Sequence, residues 1–572
     1  MRVRRLVLIV CISACLAAYG QDSSEDGVVK VMKQELTRSF DALKKAPVAP
    51  YFLSYQLTDN RAINVESNFG ALTGSSDRTT RLLDLDLRVG DYKLDNTHKI
   101  EEGGIEPRGF NEVSATIPLE NDADGLAVAL WLETDREYKE AVQRLQAVKT
   151  SGNLRKTDGT QKNSEGDFSR APASIYSEPI ADFNFDRAAW EAKVRNFSRP
   201  FADYPDIVNG SVTASGEIET RRYVNSDGSV IRMSAPFYRV MVAASIRAGD
   251  GEVLPVYRDW MSFTPQGLPS DEEVNKTVAD MITTLLKLSK APVEEPYTGP
   301  AILSGRAAAV FFHEIFGHRI EGDRLNNDDD AQTFKKRINQ PVLPSFLSVY
   351  SDPTLKRIGN TELVGYYQFD DEGVKAHRVT VVQNGVFKSF LTSRTPIAGF
   401  PESNGHGRRQ QGHTVEARQS NLVVEASKTV SRDELKKKLI SEVKAAKKPY
   451  GLLFDDIQGG FTFTQRAIPN AFSVNPTVVY RIYPDGREEL VRGLDLIGTP
   501  LIAFSKISAA DDQPAVFNGV CGAESGWVPV SASAPGILID QIEVQRKEKS
   551  QERLPILPDP SHRAPETKAA GN

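Results

Sequence analysis

The sequence predicts an α+β fold, with helices and strands mixed through the first half and strands dominating the second. Three patterns carry that reading. Apolar residues recur at helical spacing in residues 26–45 and again after Ser270. Leu83, Leu85, Leu87 and Val89 alternate strictly with Asp84, Asp86 and Arg88, the signature of a half-buried strand. Beyond residue 370, apolar runs come in pairs separated by Asn384 and Gly385, or by Pro484, Asp485 and Gly486, which are hairpin turns.

The chain starts with a secretory signal by its pattern. Arg2, Arg4 and Arg5 precede an apolar run over residues 6–18, and Ala18, Tyr19 and Gly20 supply a small-x-small cleavage site. Cleavage near Gly20 and export to a periplasmic or secreted location are the expectation. Ile12, Ser13, Ala14 and Cys15 resemble a lipobox, so a lipid anchor at Cys15 stays open as an alternative, as does a retained anchor. The run is too short for a comfortable membrane span, and no later segment is apolar enough for one.

Val29, Met32, Leu36, Phe40 and Leu43 mark the first amphipathic helix. Residues 138–148 read as a helix, and residues 150–169, nearly free of apolar side chains, as an exposed loop. Ser226, Asp227, Gly228 and Ser229 sit between two short apolar runs as a hairpin turn. Residues 238–246 are apolar on both faces, as a central strand is. Ser270 and Glu273 form a capping box before Val274, Val278, Met281, Ile282, Leu285 and Leu288, a helix ending near Ser289. Pro292, Pro296 and Pro300 then break the chain, dividing an N-terminal α/β region (21–292) from a C-terminal domain (300–546). Ser431 and Glu434 open one more helix, which closes before Pro449. Residues 547–572, charged and proline-rich, read as a disordered tail.

Charged residues at 26% and apolar residues at 40% describe an ordinary globular protein. The formal charge of −6 falls to −9 once Arg2, Arg4 and Arg5 leave with the signal. With no basic patch carrying interleaved aromatics, nucleic acid is not an expected partner. Two of the three cysteines, Cys11 and Cys15, lie in the signal, so the exported chain keeps only Cys521 and forms no internal disulfide. A lone thiol in an oxidising compartment is a liability unless it is buried, lipidated or bound to metal. The bland alternative is an inert buried cysteine.

The apolar run 307–312 leads into His313, Glu314, Ile315, Phe316, Gly317 and His318. Two imidazoles and a carboxylate there have the composition of a hydrolytic zinc site, and Cys521 is the best available third ligand. Zinc so held keeps a position for water and lowers its pKa, and Glu314, adjacent to a ligand, is placed to accept the water's proton. The spacing is unusual. Five residues on a regular helix turn the side-chain direction by about 140° beyond a full turn, which aims the two histidines apart. A distorted helix is therefore predicted, with Gly317 as the residue best able to allow it. The alternative is a regular helix whose histidines are satisfied by hydrogen bonds. His98, His377, His406, His413 and His562 compete as ligands, and His406 and His413 flank Arg408 and Arg409 in a segment that either faces substrate or is a solvated loop.

Four stretches together resemble the TldD/PmbA family of metallopeptidases. They are residues 312–323 around the histidines, 369–374 (Phe369, Asp370, Asp371, Glu372, Gly373, Val374) leading to 384–386, 404–409 around His406, and 518–522 around Cys521. The resemblance implies an N-terminal α/β domain and a C-terminal domain built on a large, strongly curved antiparallel sheet that carries the metal-site helix. It implies Zn2+ held by His313, His318 and Cys521, with Glu314 as catalytic base. His406, Arg408 and Arg409 are candidate substrate contacts by the polar, basic character of their own segment. The resemblance also implies unfolded peptides as substrates, and a homodimer or a heterodimer with a PmbA/TldE-like subunit. The chain resembles the TldD side, which keeps the metal motif. The alternatives are a catalytically silent metal-binding subunit and a zinc amidase acting on a non-peptide substrate.

Overall fold

A computed structural model describes residues 26–100, 114–155, 165–327, 333–462, 472–498 and 500–547. The expected signal and most of the expected tail lie outside them. The chain is α+β, built on large antiparallel sheets. The N-terminal sheet has seven strands. Its centre is four long antiparallel strands, in the order Ala71–Val89, Pro50–Asn68, Ile207–Asn225 and Val230–Arg247. Leu53, Tyr55, Leu57 and Val65 point to one face, which helices Gly27–Leu43, Ala123–Arg155, Arg187–Ser198 and Asp271–Leu288 cover. Caps hold these helices: Asp26 accepts from Val28 and Val29, and Ser270 from Glu273 N–H, half of the capping box expected there, while the Glu273 carboxylate accepts from Trp260 instead.

Two expectations are corrected here. Residues 150–155 belong to the 33-residue helix Ala123–Arg155, and Phe168 and Ser169 are buried, so the polar stretch is not one exposed loop. The strand around Leu83–Val89 is covered on both faces, not one. Its alternating Asp84 and Arg88 are 3% and 8% exposed, because the second face of the sheet is the seam to the C-terminal domain. Polar alternation there reports a charged interdomain surface, which sequence pattern alone does not separate from solvent.

In the C-terminal domain five strands close a ring. Tyr297–Leu303 pairs in parallel with Gly451–Thr462, which pairs with Phe472–Ile482, then Leu494–Gly498, then Ile537–Arg546, and back to Tyr297–Leu303. Strong curvature has become closure, which hides the sheet edges. A second, six-stranded sheet ends in the hairpin of Gly526–Ala534 with Ala515–Ala523, the latter being the outermost strand. One apolar core joins ring and sheet, and helix Gly305–Phe311 runs between them. The Asn384–Gly385 turn has both residues at positive φ (48° and 80°), as a two-residue hairpin loop requires.

The Phe369–Val374 stretch is a hub of the seam. Arg221 of the N-terminal sheet pairs with Asp371 and donates to Phe369 O, and fully buried Arg394 donates to Ser169 O at 2.8–2.9 Å. Burial raises the Asp370 and Glu372 carboxyls; the neighbouring Asp371 charge raises Asp370 further, and the Asp370 charge raises Glu372. Asp370 accepts three backbone N–H bonds, from Glu372, Val374 and Gly407. Those donors favour charge on Asp370, so the shared proton sits on Glu372. Free carboxyls titrate near pH 4. Stability from this pair is therefore whole below about pH 4 and is lost as pH climbs through the raised folded values. Glu372→Gln removes that titration, so its denaturant midpoint is expected to gain on wild type between about pH 5 and about pH 9. A difference that does not change with pH contradicts the assignment.

Candidate metal centre

Strand Tyr297–Leu303 delivers the chain directly into helix Gly305–Phe311, whose buried alanines and phenylalanines fix it between ring and sheet. The next turn, Phe312–Phe316, is a π-helix in which Gly317 N–H donates to Phe312 O, five residues back. Gly317–Arg319 then tightens to a 3-10 turn. A π turn brings residues five apart onto one side. His313 and His318 accordingly lie together, with ring centroids 5.2 Å apart.

Gly317 serves this turn differently from the expectation. Its φ and ψ of −60° and −48° are ordinary helical values, open to any residue. What favours glycine is packing: a Cβ there would fall inside the buried side-chain amide of Gln419, which would have to move and give up its bond to His313 O. Gln419 Nε2 in turn donates to His313 O at 3.3 Å, bracing the widened turn. Gly317→Ala is expected to cost about 1–3 kcal/mol by overpacking, read as a lowered denaturation midpoint, and to weaken metal retention. An unchanged midpoint contradicts the close approach.

Cys521 enters from strand Ala515–Ala523, paired with Val528 and buried. Its Sγ lies 3.3 Å from His318 Nε2, and the ligand atoms of His313, His318 and Cys521 all fall within 4.8 Å of one another. The Glu314 carboxylate stands 3.9 Å from His318 Nε2. Gly460 makes room for it: a Cβ at that position would come 2.8 Å from Glu314 Cγ.

Glu321 organises the cluster. Its carboxylate can only accept, so the His318 Nδ1 contact at 3.0 Å holds a proton on Nδ1 and leaves Nε2, which faces Cys521, as the nitrogen that is bare once the ring is neutral. Arg324 and Arg418 also face Glu321, at 3.2 and 3.4 Å. Burial opposes charge on Glu321, but His318, Arg324 and Arg418 outweigh it and hold the carboxyl far below its usual range. Burial likewise raises the Cys521 thiol, and His318, His313 and Arg418 overcome it to bring the pKa well down. Both imidazoles move the other way: burial lowers them, but the Cys521 sulfur lifts His313, and Cys521 with Glu321 lifts His318 well above its ordinary value. Thiolate and imidazoles thus stabilise one another's charges inside one buried cluster.

The donor set fits a metal. Two imidazoles and a thiolate are borderline-soft ligands suited to zinc, and His313 Nδ1 is buried with no hydrogen-bond partner among the described residues, so the trio is not a self-sufficient hydrogen-bonded core. Of the described residues, this is the one cluster of its kind.

The other candidates do not join it. His406 is fully buried, its Nε2 3.0 Å from Ser351 Oγ and its Nδ1 3.1 Å from Asn404 Oδ1, and burial drives its pKa down to about 3. A neutral, enclosed imidazole corrects the expectation that it meets substrate. Arg408 is buried and donates to Gln419 O at 2.7 Å, and Arg409 lies 3.7 Å from Asp84 across the seam. Glu321, Arg324, Arg418 and Gln419 are the residues that sequence reasoning missed. Only Glu321 carried a signal, standing three residues after His318, one helical turn away.

Residues 296–546 match the family described as PmbA/TldA metallopeptidase C-terminal domain. A metalloprotease of Archaeoglobus fulgidus is 28% identical over 268 residues, covering 46% of this chain and 57% of that protein. A metalloprotease of Methanothermobacter thermautotrophicus is 25% identical over 423 residues, 71% of this chain and 84% of that one. A zinc metalloprotease TldD homolog of Saccharolobus solfataricus is 23% identical over 344 residues, 60% and 72% respectively. Of the Archaeoglobus protein, then, the chain spans little more than half. The solved structure of TldE from Thermococcus kodakarensis superposes with a TM-score of 0.61 at 14% identity, over 90% of this chain and 100% of that one, which shows a shared fold.

Proposed function

On the premise that residues 296–546 form a metallopeptidase domain of the PmbA/TldD family, we propose that the chain is a zinc-dependent peptidase acting on unstructured peptides outside the cytoplasm. The observation that carries this reading is the convergence of His313, His318 and Cys521 with Glu314 beside them. His313, His318 and Cys521 would hold the zinc, which supplies Lewis acidity toward a peptide carbonyl and toward water. Glu314 takes the proton from the attacking water as the C–O bond forms, and passes it to the leaving amine as the C–N bond breaks. Glu321 keeps His318 in the tautomer that presents Nε2.

The substrate class rests on access. Cys521 is 7% exposed and the histidines 3% and 7%, so the cluster is withdrawn from the surface that a folded protein would meet, which favours a flexible substrate. Export rests on Arg2, Arg4, Arg5 and the apolar run after them. Assembly as a homodimer, or with a PmbA/TldE-like subunit, belongs to the same reading and rests on the family resemblance.

The test is direct. Purified protein with quantified zinc is expected to degrade casein, to spare a compact folded protein, and to lose and regain activity with chelator and added zinc. Zinc bound at one per chain without hydrolysis would favour a silent metal-binding subunit instead.

A further inference from the structure

Arg409, Gln410, Gln411 and Gly412 cross the seam between the two domains, and their hydrogen bonds alternate between the two sides. Gly412 N–H donates to Asp84 Oδ1 at 2.8 Å, and Gln411 Nε2 to Glu219 Oε2 at 2.6 Å, both on the N-terminal sheet. Between them and Arg409, Gln410 faces the other way. Its backbone N–H donates to Ser525 O at 2.8 Å, and its side-chain Oε1 accepts from Trp527 N–H at 3.0 Å. Ser525 lies in the turn of the hairpin that carries Cys521, and Trp527 on the strand that leaves it. We propose that this segment is a strap by which the N-terminal sheet sets the position of Cys521, with Gln410 as a positioning residue for the metal ligand. The proposal rests on the reading of the cluster as a metal centre.

The hairpin needs such a tie. Strand Ala515–Ala523 is the outermost of its sheet, so it is paired along one edge only. A zinc–thiolate bond of about 2.3 Å tolerates little displacement of the sulfur. The turn is gripped from two sides. From within, Arg418 donates to Ser525 Oγ, Gly526 O and Cys521 O at 2.8, 3.1 and 2.8 Å, and Glu524 takes two 2.9 Å bonds from Arg324, which also faces Glu321. From outside, Gln410 closes over Gly526, whose φ of +81° and lack of a side chain are both used: a Cβ there would come 2.6 Å from Gln410 Cβ. Arg418 fixes the turn relative to Glu321 and His318. Gln410 fixes it relative to the N-terminal sheet. Loss of an outer hydrogen-bond partner of a metal ligand lowers metal affinity about 10- to 100-fold.

The experiment compares wild type with Gln410→Ala, with Gln410→Glu, which keeps the acceptor for Trp527 N–H, and with Ser262→Ala. Ser262 Oγ donates to Glu362 Oε2 at 2.7 Å, a domain contact away from the strap. Zinc affinity is measured by chelator competition, and the thiolate-to-metal band is recorded on the cobalt(II)-loaded protein. Gln410→Ala, which loosens the hairpin without removing a ligand's own hydrogen bond, is expected to bind zinc more weakly by no more than about 10-fold, the lower end of that range, and to shift the cobalt band. Gln410→Glu and Ser262→Ala should match wild type. An unmoved Gln410→Ala, or a Ser262→Ala that moves equally, overturns the strap. Should Gln410→Ala fail to fold, Gln411→Ala cuts the strap at its other end, and weakened zinc binding there supports the proposal while unchanged binding overturns it. Wild type that takes up neither metal overturns the metal reading as well as the strap, whereas normal uptake with an unmoved variant overturns the strap alone.

Discussion

Glu314→Gln is expected to lower hydrolysis of a disordered peptide about 10²- to 10⁴-fold, the usual contribution of a general base, with zinc content unchanged. The substitution keeps shape and removes the ability to accept a proton. Glu314 stands 3.9 Å from His318 Nε2, close enough to serve a water at the metal ligands yet not itself within the ligand trio. Its carboxyl stem is seated against Gly460, so the amide is expected to occupy the same place. Steady-state kinetics should show the loss in kcat and kcat/KM together, with KM little changed. Equal turnover by the two proteins would remove Glu314 from the chemistry.

Cys521→Ala is expected to reduce zinc affinity by more than the roughly 100-fold that follows loss of an outer partner, because it removes a ligand and the only negative charge in the trio. Calorimetric titration with zinc measures it. The same titration across pH carries a signed expectation. Metal binding needs both imidazoles neutral, and His313 and His318 hold their protons above the ordinary range. Affinity should therefore fall as pH drops through those raised values, with protons released on binding. The thiol contributes little to this slope, since its pKa is already well down. Wild-type affinity retained in Cys521→Ala would refute the ligand assignment.

Local periodicity and capping made most elements legible. The helices after Asp26 and Ser270, the Asn384–Gly385 hairpin and the Ser431 capping box all follow from short-range chemistry. What was hidden is what distant pairing decides. Asp84 and Arg88 looked solvent-facing, because a charged seam and a wet surface share one pattern. Ring closure depends on Gly451–Thr462 meeting both Tyr297–Leu303 and Phe472–Ile482, contacts far apart in sequence. At the site, the lone thiol and the histidine pair were readable from composition and spacing. The π turn answers the five-residue spacing, but Gly317 is glycine for Gln419, a hundred residues on, and no local signal tells of that approach. His406 read as facing substrate or solvent and is enclosed; Glu321 drew no separate notice and holds His318.

X-ray absorption at the zinc edge of the loaded protein tests the three-ligand centre most directly. One sulfur at about 2.3 Å and two imidazole nitrogens at about 2.0–2.1 Å are expected, with the sulfur shell absent in Cys521→Ala. A spectrum of nitrogen and oxygen alone in the wild-type protein would contradict a zinc site built from His313, His318 and Cys521.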